Sequence, residues 1–311
     1  MIPVLILTAG GGKRLGRIGN IYNKALLPVG DKSLLEHHLS AFSILGEKEF
    51  VIVVDPRSND VKKEAKRIAK DGNISIKFVS QTRRLGIGHA VLSAETRIGK
   101  SPFILVLGDT YYIPLDILKG IKEITKGRVD AVLSVRTVSE EFSILKECTI
   151  EMNHRKVVHK IIEKPEKALS MFKPCGVYFF GPRFIGALKS TPPSRLRGEI
   201  ELTDAIQKLI DLGGIVVGAE TLKSDVNITY PEDILSANLC WLKQQNLEYF
   251  SHPQSIIGSG VKLKDSVISR RCKIGESSKL NRTVVFPGAE VPAGSILENQ
   301  LILSNGKQIP V

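Results

Sequence analysis

Residues 2 to 7 form an almost unbroken apolar run, and after Thr8 and Ala9 come Gly10, Gly11, Gly12, Lys13, Arg14, Leu15 and Gly16. A run of that length suits a strand buried on both faces of a parallel sheet, so the glycines fall where the strand hands over to a loop. Consecutive glycines let backbone N–H groups approach a ligand with no Cβ in the way, and Arg14 with Lys24 sets positive charge beside them. The pattern is that of a polyphosphate cradle over Ala9, Gly10, Gly11 and Gly12. Two other phosphate motifs are excluded by spacing. A Walker loop needs Ser or Thr where Arg14 stands, and the dinucleotide fingerprint needs glycine where Leu15 stands.

The rest of the first half repeats the strand and helix alternation. Apolar strand candidates at 50–54, 75–79, 102–107 and 130–135 are separated by helical spacing near 33–45, 60–70, 88–98 and 114–125. That order predicts a parallel sheet covered by helices on both faces, with its ligand outside the carboxyl ends of the strands. From 145 to 181 the strand candidates come without helices, which predicts an antiparallel or mixed extension. Helices are expected near 202–211 and 231–244.

After Phe250 the helical period is lost, and small residues and aliphatics return at roughly six-residue intervals through Ile257, Val261, Ile274, Val284 and Val291. This resembles hexapeptide repeats, whose coils stack into a left-handed β-helix; a meander of short strands is the alternative. Two domains are therefore expected, 1–250 and 251–311. No histidine follows His252, so the tail lacks the usual base for acyl transfer and is expected to serve assembly or stability, with no active site of its own. A cut near residue 250 is then expected to leave the catalytic residues in place while lowering oligomeric state or melting temperature.

Lys and Arg exceed Asp and Glu by 44 to 32 in 311 residues, giving a net charge of +12 and a preference for polyanionic partners. Lys62, Lys63, Glu64, Lys66 and Arg67 interleave both signs, as a solvated helix face does, so nucleic-acid binding is not expected. Cys148, Cys175, Cys240 and Cys272 form no C-x-x-C pair and read as thiols of a reducing compartment without zinc. No apolar run approaches the ~20 residues needed to cross a bilayer, and no basic segment precedes the first strand. A cytoplasmic protein without membrane partners is expected.

Six motifs then stand in one order. Leu7 to Arg14, with Asn23-Lys24-Ala25-Leu26-Leu27-Pro28-Val29, resembles the opening of the sugar-1-phosphate nucleotidyltransferases, L-A-A-G-x-G-T-R-L and P-K-x-L-L-P-V, departing at Thr8, Lys13 and Asn23. Gln81 and Leu85-Gly86-Ile87-Gly88-His89-Ala90 resemble the family's base-recognition segment. His89 there reads as a helix-opening residue rather than a general base. Apart from these six, Leu105-Val106-Leu107-Gly108-Asp109 ends a strand with a carboxylate, which suits either a Mg²⁺ ligand or a turn residue. Glu163-Lys164-Pro165, Gly176-Val177-Tyr178 and Arg197-Gly198-Glu199-Ile200-Glu201-Leu202-Thr203-Asp204 match the E-K-P, G-I-Y and R-G-E-x-x-x-T-D elements, with Thr203 and Asp204 reading as a helix start. Asp225-Val226-Asn227-Ile228-Thr229-Tyr230-Pro231-Glu232-Asp233 is similar to D-V-G-T-P-E-D, with Asn227 in place of glycine.

The resemblance implies a Rossmann-like mixed α/β sheet sandwiched by helices, and an enzyme. It implies that Arg14 and Lys24 neutralise a triphosphate, that Gln81, Gly86 and Asp109 hold the nucleotide, and that Lys164 meets the sugar phosphate. Gly108, Glu163, Gly176 and Glu199 would face the sugar, and Asp109 with Asp225 would hold Mg²⁺. Joining two anions asks for charge neutralisation rather than a covalent nucleophile, which suits this inventory. Leu85 to Leu92 is most similar to the L-G-L-G-H-A-V-L of UTP:glucose-1-phosphate uridylyltransferases, while the glycine loop and the Asp225 segment sit closer to the thymidylyl and guanylyl branches. UTP with glucose 1-phosphate is the leading expectation, dTTP the second, and a non-catalytic sugar-nucleotide sensor of the same fold the third. A homo-oligomer is expected.

Overall fold

The computed structural model describes residues 2–43, 49–138, 144–145, 147–195 and 197–311. The chain divides into two compact units, one of residues 1–10 and 38–225, the other of residues 11–37 and 226–311. This division does not follow the expected cut at residue 250. The residues from 11 to 37 and the helix before residue 250 group with the tail.

The first unit is built on a sheet of seven strands. In chain order these are β1 (Val4–Leu7), β4 (Glu49–Val54), β5 (Ser75–Ser80), β6 (Phe103–Leu107), β8 (Ala131–Thr137), β11 (Phe172–Phe180) and β12 (Val216–Ala219), with β2 and β3 belonging to the other unit. In space they run β12-β8-β11-β6-β1-β4-β5, all in one direction except β11, which is antiparallel to both its neighbours. The expected parallel sheet is present, and the mixed extension is β11 with the hairpin β9 (Cys148–Met152) and β10 (Val158–Glu163).

Helices α4 (Ile87–Ser93), α7 (Arg183–Lys189) and α8 (Leu202–Asp211) bury one face, joining Leu5, Val53, Phe103, Leu105, Tyr178 and Phe180 in one core. Phe179 points to the other face, where α6 (Ile117–Thr125) lies so close that a Cβ on Gly120 would come 2.3 Å from its ring. The unit also holds α3 (Asn59–Gly72), α5 (Glu95–Ile98), and β7 (Thr110–Pro114) paired with β13 (Leu222–Asn227). The expected helix at 88–98 is two helices, α4 and α5, and residues 44 and 45 of the one expected at 33–45 lie outside the described residues. From β1 the chain steps outward to β4 and β5, then returns to β6 on the other side of β1. That is the switch point at which open α/β sheets place ligands.

In the second unit, α1 (Arg17–Ile21), β2 (Pro28–Val29), β3 (Lys32–Ser33) and the start of α2 (Leu34–Ser43) accompany α9 (Pro231–Gln245) and a parallel β-helix. Each coil of the β-helix takes 17 residues: Phe250 pairs with Val267, Val267 with Val284 and Val284 with Leu301. A second face pairs Ile256 with Lys273 and Lys273 with Glu290, and a third pairs Lys262 with Lys279 and Lys279 with Ile296. The faces thus open at 250, 256, 262 and again at 267, so the coil is two six-residue steps and one of five. Its corners carry left-handed backbone at the same period, at Asp265, Arg282 and Asn299 (φ 47°, 48° and 50°) and at Gly260, Ser277 and Gly294 (φ 70°, 57° and 70°).

Ile268, Val285 and Ile302 stack inside with Ile274, Val291, Leu280 and Leu297. β19 (Lys279–Val285) and β21 (Ile296–Ile302) carry α9 against their outer side, and β22 (Gln308–Pro310) closes the stack by pairing antiparallel with β21. Among the described residues no helix is long and apolar enough to cross a membrane.

Candidate active site

The ends of β1 and β6 meet closely. Thr8 donates from N and from Oγ1 to Val53 O at 2.9 and 2.8 Å, and Gly108 N donates to Leu7 O at 3.0 Å. A Cβ on Gly108 would stand 2.4 Å from that Leu7 oxygen, a backbone atom that cannot rotate away, so only glycine fits. Gly108→Ala is expected to cost about 1–3 kcal/mol of stability through overpacking, read as a lower midpoint in urea. Gly176 on β11 approaches the same place, its missing Cβ 3.2 Å from Leu107 Cβ and from Thr110 Oγ1. Asp109 follows Gly108 and leads into β7, whose partner strand β13 carries Asp225.

The segments expected to read base and sugar are zipped together. Ile200 N donates to Leu85 O at 2.9 Å and Gly88 N to Ile200 O at 2.8 Å. Gly86 has φ +94°, and a Cβ there would lie 2.9 Å from Glu199 Cβ. The buried Gln81 amide donates to Gly86 O at 3.1 Å and meets His89 Nδ1 at 3.3 Å. His89 is the third residue of α4, which begins after Gly86, so it opens the helix as expected and also orients Gln81. Thr203 and Asp204 lie in the first turn of α8.

Beside them Arg197 stands 3.9 Å from Glu163 and 3.4 Å from Glu201. Burial, with the Glu201 charge next in weight, pushes the Glu163 carboxyl up to about 7, against the partial relief of Arg197 and Lys164. The folded chain therefore holds this proton more tightly than the unfolded chain, whose glutamates titrate near 4.5. Glu163 favours the folded state most below pH 4.5, and that contribution is lost as pH rises through about 7. An ionised carboxylate is the better acceptor for hydroxyls, so use of a polyhydroxyl substrate is expected to rise through this pH, with Glu163→Gln removing the inflection in kcat/KM. Lys164, next in sequence, has φ +45° and donates its N–H to Glu147 O at 2.7 Å. Such left-handed backbone costs a residue with a side chain about 1–3 kcal/mol.

Lys173 and Arg136 face each other across β11 and β8, two cations in register that would repel if left alone. The buried Asp225 carboxylate resolves this. Its Oδ2 lies 3.0 Å from Lys173 Nζ, its Oδ1 accepts from Arg136 Nε, and Lys173 Nζ also reaches Glu147 Oε2 at 2.6 Å. Burial by itself lowers Lys173, but Asp225 and Glu147 outweigh it and raise its pKa, keeping the ammonium charged. Among the described residues no three His, Cys, Asp or Glu side chains gather as a metal-ligand set. Mg²⁺ needs only one or two carboxylates when phosphates and water complete its shell, which Asp109, in the turn before β7, and Asp225 on its partner strand β13 could supply. A cation at Asp225 would share it with two positive side chains, and Glu147 offers Lys173 a second partner.

The glycine loop lies mainly in the second unit, which holds Gly11, Gly12, Arg14 and Lys24, while Ala9 and Gly10 end the first. Gly12 has φ +59°, and Gly19 packs so near that a Cβ on it would stand 2.2 Å from Gly12 O. Lys24 Cγ is 3.7 Å from the point where Gly12 would carry a Cβ, so the lysine stem runs along the glycine turn. Asn23 starts the 3₁₀ turn that presents Lys24, its Oδ1 accepting from Ala25 N at 2.9 Å, which accounts for asparagine at that position. The Arg14 guanidinium stands 5.9 Å above the Tyr230 ring. Sequence reasoning did not find Arg136, Lys173 or Tyr230. A Lys-Pro pair just before Gly176-Val177-Tyr178 was the available signal for Lys173.

The sequence profile of the nucleotidyl transferase family matches residues 3–225. The chain is 29% identical over 305 residues to a glucose-1-phosphate thymidylyltransferase of Streptomyces antibioticus, covering 97% of this chain and 81% of that protein. It is 33% identical over 245 residues to the bifunctional protein GlmU of Methanococcus maripaludis, covering 78% of this chain and 55% of the relative. A UDP-glucose pyrophosphorylase solved with UDP-glucose shares the fold at a TM-score of 0.68 and 23% identity, over 78% of this chain and all of that one. The glycine loop after β1, the carboxylate after β6 and the match across 3–225 make this chain a member of the nucleotidyl transferase family.

Proposed function

We propose that the chain joins a nucleoside triphosphate to a sugar 1-phosphate, giving a nucleoside diphosphate sugar and pyrophosphate, with UTP and glucose 1-phosphate as its substrates. The observation that carries this reading is the backbone zipper between Leu85–Gly88 and Ile200, which sets Gln81 and Gly86 beside Glu199 in one unit. A nucleotide-reading edge and a hydroxyl-accepting carboxylate then serve one reaction centre. Glu163 and Glu199 take sugar hydroxyls, with the backbone of Gly108 and Gly176 facing the ring. Lys164 neutralises the sugar phosphate, whose oxygen attacks the α-phosphorus as pyrophosphate leaves in line. Arg14 and Lys24 meet the triphosphate over Ala9 to Gly12, and Asp109 and Asp225 would hold Mg²⁺. When bound, that ion draws off charge developing on the α-phosphate.

The likeness to a thymidylyltransferase over nearly the whole chain supports dTTP as the second reading. Retention of Arg14, Lys24, Asp109, Lys164 and Asp225 argues against a non-catalytic sensor. Exposed Ile256 and Ile296 on the outer faces of the β-helix are in keeping with a homo-oligomer, and the protein is proposed to act in the cytoplasm. The test is competition between UTP and dTTP at equal concentration with glucose 1-phosphate, products resolved by mass. UDP-glucose in excess supports the first reading, dTDP-glucose the second, and neither product overturns both.

A further inference from the structure

The phosphate loop has few side chains to pack beyond Leu15 and Ile18. Residues 10 to 20 include five glycines, and only Leu15 and Ile18 in this stretch anchor side chains in the interior, so further contacts are needed to fix the loop's shape. In the second unit those contacts come from the C-terminal segment, at three separate places. The Tyr22 hydroxyl shares a hydrogen bond with Ser304 Oγ at 2.5 Å and accepts from Ser304 N at 3.1 Å, while its ring lies 5.1 Å from Phe286. Phe286 and Ser304 follow consecutive coils of the β-helix. Gly30 N donates to Asn238 Oδ1 at 2.8 Å, and Asn238 Nδ2 returns to Pro28 O at 3.0 Å.

Gly30 also takes φ +60° against Trp241, where a Cβ would stand 2.1 Å from the indole, and Trp241 packs edge-on to Phe250 at 5.1 Å at the start of the first coil. Lastly, Arg14, Gly16 and Arg17 share a groove with Pro231 and with Gln308, Ile309 and Pro310 of β22. These places lie on either side of Lys24 and beside Arg14, so the shape of the whole segment from Gly11 to Ser33 depends on α9 and the β-helix.

We infer that the C-terminal β-helix is the mount of the phosphate loop, so that the tail takes part in triphosphate binding as a positioning element. Ser304, Phe286 and Gln308 act through the loop or on the rim of its groove. The inference rests on the proposed reading of Arg14 and Lys24 as triphosphate contacts. It also replaces the expectation that a cut near residue 250 spares the catalytic residues, because such a cut removes the surface on which Tyr22 and Arg14 rest.

The test uses the full chain with Ser304→Ala, Phe286→Leu and Tyr22→Phe, each checked for folding by its melting curve. Two readouts are taken: KM for UTP and for glucose 1-phosphate, and amide hydrogen exchange over residues 10–24 without ligand. The expected result is about a tenfold rise in KM for UTP, unchanged KM for glucose 1-phosphate, and exchange about tenfold faster in the loop but not in β1 or β6. Ser304→Ala and Tyr22→Phe are expected to be non-additive, since they break one shared contact. Unchanged loop exchange in all three folded variants overturns the inference, as does an equal loss toward both substrates. If wild type turns over no nucleotide, the functional reading fails by itself, and the exchange data still decide whether the tail holds the loop.

Discussion

Asp109→Asn is expected to lower kcat by at least about a hundredfold while leaving the melting temperature nearly unchanged, because on the proposed reading its carboxylate holds the Mg²⁺ that meets charge developing during the reaction. Asp225→Asn is expected to lose both activity and stability. Its carboxylate sits between Lys173 and Arg136, which face each other in register, and neutralising it leaves two cations opposed in a buried place. Removing one partner of a buried ion pair costs about 3–5 kcal/mol, a drop of roughly 10 °C in a domain of this size. Lys173→Met makes the converse test. It leaves Asp225 with Arg136 alone, so melting should fall in chelator and recover partly with Mg²⁺, a readout independent of turnover. Near-normal turnover in Asp109→Asn, or unaltered melting in Asp225→Asn, contradicts these roles.

Arg14→Ala and Lys164→Ala are expected to separate the two substrates. Arg14 lies in the glycine loop and Lys164 beside Glu163, so the first variant should raise KM for the triphosphate and the second KM for the sugar phosphate. A lost charge-assisted hydrogen bond is worth about 1.5–3 kcal/mol, a factor of roughly 10 to 100. Initial rates with each substrate varied in turn measure this. Damage to triphosphate use alone in both variants removes Lys164 from the sugar side.

The sheet was legible because its strands are short continuous apolar runs punctuated by Gly and by amphipathic helices, as at Val4–Leu7 and Phe103–Leu107. Gly108 could be placed at a strand end, but the reason for it, the 2.4 Å approach to Leu7 O, depends on the neighbour across the sheet. The Arg136–Asp225–Lys173 cluster was hidden for the same reason, since it arises from the register of β11 on β8 and from β13, distant in sequence. The tail showed its aliphatic recurrence but not its true period. One five-residue step per coil puts a six-residue count out of phase within a turn, whereas the 17-residue offset appears only once strands are paired. The membership of residues 11–37 in the tail's unit was beyond reach of local pattern, because it rests on contacts such as Tyr22 with Ser304, 282 positions apart.

Whether the protein joins two anionic substrates is tested most directly by following pyrophosphate and nucleotide sugar together in the wild-type protein with Mg²⁺, UTP and glucose 1-phosphate. Equal amounts of the two products are expected, formed only when both substrates are present, with loss of both in Asp109→Asn. Pyrophosphate or phosphate released without glucose 1-phosphate at the same rate, or no nucleotide sugar from any triphosphate and sugar phosphate supplied, contradicts the proposed reaction.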